Sequence, residues 1–188
     1  NAMDVHYLMA EDLRLTPGKF AREGDEKAQM ARFLGNTSSE FHEYFYLNIF
    51  TLMEGRHLGP EDQGKALISK TMAEENGAGI GDTIYARMTE EASGISAPGM
   101  EISFEVAGIF DEGVQTGVNE STAECDLFSN FIFIDSTSSQ ALKERLGGRN
   151  RTVFHGGAAF FVKDPKDLEK IAASVEGLTG MDWESLRL

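Results

Sequence analysis

Residues 66–89, which read ALISKTMAEENGAGIGDTIYARMT, decide the fold. The first three of them, Ala66-Leu67-Ile68, form a short apolar run that predicts a buried strand. Thr71 and Glu74 have the spacing of a capping box, which predicts a short helix that Gly77 ends. A strand that leads directly into a short helix is therefore expected at the centre of the chain.

The two strands that follow have an alternating pattern. Ile84, Ala86 and Met88 share one face of residues 83–89, so this stretch predicts a half-buried strand. Residues 101–110 alternate in the same way, with apolar residues on one face and acidic or hydroxyl residues on the other. We expect the two strands to pair as a hairpin.

Upstream, bulky apolar residues recur every three or four positions and predict one amphipathic helix that becomes extended before Gly55. These residues are Phe41, Tyr44, Phe45, Leu47 and Phe50. Since apolar stripes usually face inward, we interpret the cluster as core. A binding groove remains the alternative.

Downstream, loops, strands and helices follow in an order that is not strictly alternating. The predicted elements are a surface loop at 113–126, a strand at 131–135, a helix at 138–146, a strand region at 153–162, a helix capped by Asp164 with Pro165 at its first position, and an extended end from Trp183. This order favours an α+β fold, with a mixed sheet and a few short helices, over a doubly wound parallel sheet.

The sequence divides into three parts. Residues 1–2 resemble a scar left by tag removal, and residues 3–37 predict a loose N-terminal segment with a short strand near Met30. Residues 38–188 are assigned to the core domain, with a small lobe around 111–130 left open.

Charge and cysteine content exclude several classes of protein. The 188 residues include 17 Lys and Arg against 31 Asp and Glu, which gives a net charge of −14. Nucleic acid and anionic membrane surfaces attract basic residues, so we exclude both as partners. The lone Cys125 forms no internal disulfide and cannot hold a metal by itself, and we expect no cofactor.

Catalytic and nucleotide-binding motifs are absent from the sequence. It has no Gly-x-Ser-x-Gly elbow and no P-loop, and His6, His42, His57 and His155 are scattered without a zinc-binding spacing. We therefore expect a protein that is not an enzyme. A hydrolase whose site is assembled in three dimensions remains an alternative.

The most unusual charge feature is a stretch, residues 88–142, that contains no Lys or Arg. Its loop supplies the candidate ligand-binding residues Glu112, Glu120, Glu124 and Asp126. Such a group of carboxylates suits a cationic ligand or calcium, although the spacing of an EF-hand is missing. A solvated acidic face is the alternative interpretation, and no metal site is assigned.

Four short motifs, in this order, resemble the extracytoplasmic core domain of MacB-like, FtsX-type ABC transporter permeases. They are Gly55-Arg56, the strand and helix from Ala66 to Gly77, the turn Ile80-Gly81-Asp82-Thr83-Ile84, and the strand Phe104 to Ile109. The resemblance extends over about residues 41–188.

The resemblance implies a noncatalytic domain inserted between the first two membrane spans and facing the outside of the cell or the periplasm. Its partners would be its own spans, a cytoplasmic ATPase subunit and a second copy in a dimeric transporter. Family substrates include peptides, lipids, lipoproteins and antibiotics, and some members regulate cell-wall hydrolases. A stand-alone surface module that binds a cationic peptide is the alternative from another class.

Overall fold

The computed structural model describes residues 5–9, 18–21, 29–88, 101–145, 158–162 and 164–176. The strands in chain order are β1 (Val5–Met9), β2 (Gly18–Ala21), β3 (Gln29–Asn36), β4 (Thr51–Gly55), β5 (Lys65–Ser69), β6 (Thr83–Met88), β7 (Glu101–Asp111), β8 (Phe131–Asp135) and β9 (Ala158–Val162). The α-helices are α1 (Glu43–Tyr46), α2 (Lys70–Asn76), α3 (Ser136–Arg145) and α4 (Leu168–Glu176). Short 3-10 turns span Ser39–Phe41, Glu124–Asp126, Phe128–Asn130 and Pro165–Asp167.

The chain separates into two units. The smaller unit comprises residues 1–7 and 159–188, and the larger unit comprises residues 8–158. In the smaller unit, β1 pairs with β9 in a two-stranded sheet, and α4 follows a 3-10 turn. Asp164 caps that turn, because its Oδ1 accepts a hydrogen bond from the Lys166 amide at 3.0 Å. The predicted cap is confirmed.

Seven strands of the larger unit form one mixed sheet whose pairings close into a ring. The strand order is β4-β7-β5-β8-β3-β2-β6, and β6 pairs in addition with β7. The pairs β3–β8 and β5–β7 are parallel, whereas the others are antiparallel. The long β7 pairs with β6 through residues 101–105 and with β4 through residues 108–111. The α+β fold with a mixed sheet is confirmed, as is the β6–β7 hairpin.

A bulge in β7 changes which of its side chains face each of two cores. The pairing with β5 passes from Ala66–Val106 to Leu67–Gly108, so Ala107 is the extra residue. Because side chains alternate between faces, the extra residue brings Ile109 to the same face as Val106, and both belong to the first core. The remaining members of this core come mainly from β3, β5, β8 and the helices α2 and α3.

The second core is aromatic and lies on the opposite face of the strands. Its buried members are Leu34, Phe45, Phe50, Leu58, Leu67, Ala107, Phe110, Phe131 and Phe133. The ring centroids of Phe50 and Phe110 are 4.9 Å apart. Since β8 contributes to both cores, all five of its residues are buried, which explains its unbroken apolar sequence.

Helix α2 begins one residue earlier than predicted, because Ser69 is its N-cap. The Ser69 Oγ accepts a hydrogen bond from the Met72 amide at 3.0 Å. The hydroxyl of Thr71 instead donates to the carboxylate of Glu112. The prediction of a capping box at Thr71 is therefore wrong, whereas Gly77 ends the helix as predicted, in a left-handed conformation with φ of 55°.

The predicted loose segment, residues 3–37, contributes two strands to the sheet. β3 lies between β8 and β2, and its Ala31 and Phe33 are buried in the first core. The short strand predicted near Met30 is confirmed as β3. The prediction of loose chain is wrong for residues 5–9, 18–21 and 29–36, which form β1, β2 and β3. β2 and β3 pair with each other, but their other partners, β6 and β8, are distant in sequence and give no local signal.

The helix predicted for the aromatic stripe is shorter than expected. A 3-10 turn and α1 replace it, and the chain becomes extended as β4. Phe45 and Phe50 are buried as predicted, but Leu47 is 59% exposed, so its assignment to the core is wrong. The helix ends at Tyr46, and Asn48 has a left-handed φ of 57° that turns the chain.

The other predicted elements are confirmed where they are described. The loop after residue 112 leads to β8, and α3 begins two residues before the predicted start, with Leu142 buried. The predicted end of this helix at residues 146–148 and the final extended segment from Trp183 lie outside the described residues.

Candidate functional site

Two of the four candidate carboxylates make structural contacts. Glu112 accepts a hydrogen bond from the hydroxyl of Thr71, and its other carboxylate oxygen is buried without a hydrogen-bond partner among the described residues. Asp126 forms an ion pair with Arg32 of β3. The Arg32 guanidinium also lies over the Phe131 ring, 5.3 Å from its centroid. These contacts attach the loop to the sheet.

A glutamine amide and an asparagine amide fix the rest of the loop. The Gln115 Nε2 donates to the Asp126 carbonyl at 2.9 Å, and its Oε1 accepts from the Phe128 amide at 2.7 Å. The Asn130 Nδ2 donates to the Glu124 carbonyl at 2.8 Å. Residues 111–130 lie within the larger unit.

The other two candidates, Glu120 and Glu124, are exposed. Within the part of the chain that the structure describes, no three His, Cys, Asp or Glu side chains lie together in a way that could hold a metal ion. Asp126 is paired with Arg32, and Glu112 accepts a hydrogen bond from Thr71, so two of the four carboxylates already make contacts within the fold. The structure therefore gives no support to a calcium site among them.

An exposed apolar surface adjoins this loop. Tyr46, Leu47 and Ile49 are 59%, 59% and 39% exposed, and Val114 is 88% exposed. The two chain segments touch, because a Cβ added to Gly113 would lie 2.8 Å from the Ile49 carbonyl oxygen. We call these four side chains the apolar tip. The sequence did not predict this surface, because the helical spacing of its apolar residues assigned Leu47 to the core.

The two segments that supply the apolar tip contain acidic residues and no Lys or Arg. Residues 33–55, which supply three of its members, contain Glu40, Glu43 and Glu54 but no Lys or Arg. Residues 88–142, which supply Val114, also contain no Lys or Arg. Glu40, Glu43, Glu54 and Glu120 are exposed. Glu43 lies on α1 together with Tyr46, and Glu120 lies in the same loop as Val114. We call Glu43 and Glu120 the acidic rim.

A serine and a histidine lie in contact beside the second core. The Ser39 Oγ is 3.1 Å from the His57 Nδ1, and it accepts a hydrogen bond from the Leu58 amide at 2.9 Å. Ser39 has no exposed surface, so its hydroxyl cannot reach a substrate from solvent. The pair joins the 3-10 turn to the chain after β4, which is a structural role. His6 and His155 have no described side chains.

Burial keeps a second histidine neutral. His42 is 5% exposed, and its ring lies 5.0 Å from that of Phe133. Desolvation lowers the pKa of His42 from 6.5 to about 4. The unfolded chain therefore binds a proton between about pH 6.5 and pH 4 that the folded chain does not bind. Stability is fully present above this window and falls as the pH falls through it.

We expect the wild-type chain to lose about 2 kcal/mol more free energy of unfolding than His42→Gln between about pH 7 and pH 5. Urea unfolding at both pH values measures this loss. All Asp and Glu residues are common to both chains, so their contribution cancels in the difference. Equal losses in the two chains would show that His42 is not the titrating group.

One cavity of about 290 Å³ lies between β7 and α3. Its lining residues include Ile102, Phe104 and Leu142 on the apolar side and Gln63, Ser103 and Ser138 on the polar side. Among the described residues, no charged side chain lines it. None of the described helices has the length and apolar content needed to cross a membrane.

Comparison with known proteins identifies the family. The sequence model of the family described as MacB-like periplasmic core domain matches residues 9–178. The periplasmic region of MacB from Actinobacillus actinomycetemcomitans is similar in structure, at 12% identity and a TM-score of 0.42, covering 93% of this chain and 77% of that one. A domain assigned to a permease protein from Porphyromonas gingivalis is similar at 12% identity and a TM-score of 0.43, covering 92% and 68%. A comparison with curated proteins gives no match.

The chain belongs to the family of MacB-like periplasmic core domains, because the family match spans most of its length. The resemblance drawn from the motifs between residues 55 and 109 is thereby confirmed. The chain is an extracytoplasmic domain of an ABC transporter permease.

Proposed function

We propose that this domain couples ATP-driven movement of the membrane spans to the handling of an extracellular substrate or partner, without catalysing a reaction itself. Its membership of the MacB-like periplasmic core domain family carries the proposal. In this proposal, a cytoplasmic subunit hydrolyses ATP, and the domain acts as one of two copies in a dimeric transporter.

The packing of the larger unit supports a mechanical role. Six strands pair around a closed ring, so none of those six is free to slide without breaking pairings on both sides. The sheet has a core on each face, and β8 is buried in both. Close-packed interiors have low compressibility and transmit strain. A displacement applied at one end of this unit should therefore move the unit as a body.

The test measures distances in the full-length permease with its ATPase subunit. Spin labels at Glu54→Cys, in a Cys125→Ser background, report the separation of the two copies because Glu54 is an exposed residue of β4. We expect double electron–electron resonance to give different distance distributions in the nucleotide-free state and with a non-hydrolysable ATP analogue.

A second pair of labels provides the matched control. Glu54→Cys combined with Glu74→Cys places both labels in one copy, on β4 and on the exposed side of α2. A dilution with unlabelled subunits isolates this intramolecular distance, which we expect to stay constant. An unchanged distance between copies on addition of the analogue would contradict the coupling role.

A further inference from the structure

We propose that the apolar tip with its acidic rim docks a protein segment that presents an apolar centre surrounded by Lys and Arg. This inference rests on the proposed function, because it names the chemistry of the partner that the domain would handle. Two independent features carry it, namely the ordered exposure of the apolar side chains and the absence of Lys and Arg from the two segments that carry them.

The apolar tip is exposed on an ordered turn. The amides of Ile49 and Phe50 donate to the Tyr44 carbonyl at 2.9 Å and 2.8 Å, and the Leu47 amide donates to the Glu43 carbonyl at 2.8 Å. Phe45 and Phe50 anchor the turn from below, since both are buried in the second core. The backbone is thus fixed before any partner arrives, which lowers the entropy cost of binding.

Two distant parts of the sequence build this surface together. Thr51 lies opposite Asp111 in the β4–β7 pairing, which brings the turn before β4 next to the loop after β7. Exposed apolar side chains that cluster in this way, with a polar rim, commonly mark interaction sites. Exposed apolar residues scattered singly would carry no such meaning.

The acidic character of the two segments indicates the chemistry of the partner. Both segments that form the apolar tip lack Lys and Arg, so an acidic protein surface or an anionic membrane would be repelled. A basic rim on the partner complements Glu43 and Glu120 while its apolar centre covers Leu47 and Val114. The partner that matches both features is a segment with basic and apolar residues on one face.

The probe is an 18-residue amphipathic helical peptide made only of Leu and Lys, titrated into the 188-residue chain. Because the chain carries a net charge of −14, any cationic peptide will bind weakly, and only matched variants can locate the contact. Ile49→Ser tests the apolar tip, and Ile80→Ser is its control, since Ile80 is 46% exposed and lies beside Gly55 at the other end of β4.

We expect Ile49→Ser and Val114→Ser each to weaken binding of the peptide about 10-fold, with Ile80→Ser within about 2-fold of wild type. Glu43→Gln should weaken binding at low salt and much less at high salt, whereas Glu61→Gln should have little effect. Fluorescence anisotropy of a labelled peptide measures the affinities, and urea unfolding verifies that each variant folds.

Three outcomes would overturn the proposal. They are an equal loss for Ile49→Ser and Ile80→Ser, equal binding of a Ser/Lys peptide that lacks Leu, and preferential binding of the chain to phosphatidylcholine vesicles, which would make the apolar tip a membrane contact. None of them affects the distance change expected in the full-length permease. Failure of the docking proposal is therefore distinguishable from failure of the coupling role.

Discussion

Gly55→Ala is expected to lower the free energy of unfolding by at least about 3 kcal/mol. Gly55 has a left-handed φ of 74°, which costs an L-residue about 1–2 kcal/mol. A Cβ at this position would also lie 2.2 Å from the Ala107 carbonyl oxygen. That oxygen accepts the Arg56 amide at 3.0 Å, so β4 could make room for the methyl group only by losing its contact with β7.

Gly64→Ala provides the matched control. Gly64 has a φ of 65°, close to that of Gly55, but a Cβ there would meet no atom within 4 Å. Gly64→Ala is therefore expected to lower the free energy of unfolding by the backbone cost alone, about 1–2 kcal/mol. Urea unfolding followed by circular dichroism measures both variants. Equal losses in the two would show that the approach of Gly55 to Ala107 contributes nothing, which contradicts the packing argument.

This close approach gives a physical reason for the Gly-Arg motif that the sequence shares with the family. The partner of Gly55 across the β4–β7 pairing is Gly108, where a Cβ would lie 2.7 Å from the Arg56 carbonyl oxygen. Two glycines thus face each other at a position where the strands leave no room for a Cβ. The motif was visible in the sequence, whereas the pairing that requires it became visible only in the structure.

Elements defined by local patterns could be predicted from the sequence. The alternation of β6 and β7 and the unbroken apolar run of β8 reflect burial on one face or on both. The strands β2 and β3 could not be predicted as part of the sheet. β2 is only four residues long, and β3 pairs in parallel with β8, about a hundred residues away.

The candidate site could be predicted only in part, for two physical reasons. The acidic loop was evident from its composition, but the partners of Glu112 and Asp126 lie on α2 and β3, far away in sequence. The apolar tip was hidden because a three-to-four spacing does not reveal where a helix ends. Asn48, with its left-handed φ, stops the helical pattern and turns Leu47 and Ile49 outward.

Phe50→Ala is expected to lower the free energy of unfolding by about 3–5 kcal/mol, the usual cost of removing a buried aromatic side chain. Phe50 is 2% exposed, and its ring lies 4.7 Å from that of Tyr44 and 5.0 Å from that of Phe128. The Phe50 side chain, just before β4, therefore packs against α1 and against the loop before β8. The cavity left behind cannot collapse easily, because the surrounding strands are held in the ring.

Ile49→Ala separates core packing from surface exposure at adjacent positions. Ile49 is 39% exposed, so its truncation should cost about 1 kcal/mol or less, and the difference between the two variants should exceed about 2 kcal/mol. Urea unfolding of both chains measures this difference.

Since Phe50 supports the turn that carries the apolar tip, Phe50→Ala should also weaken binding of the Leu/Lys peptide while the chain is still folded. A loss below about 1 kcal/mol for Phe50→Ala would mean that the second core does not anchor this turn.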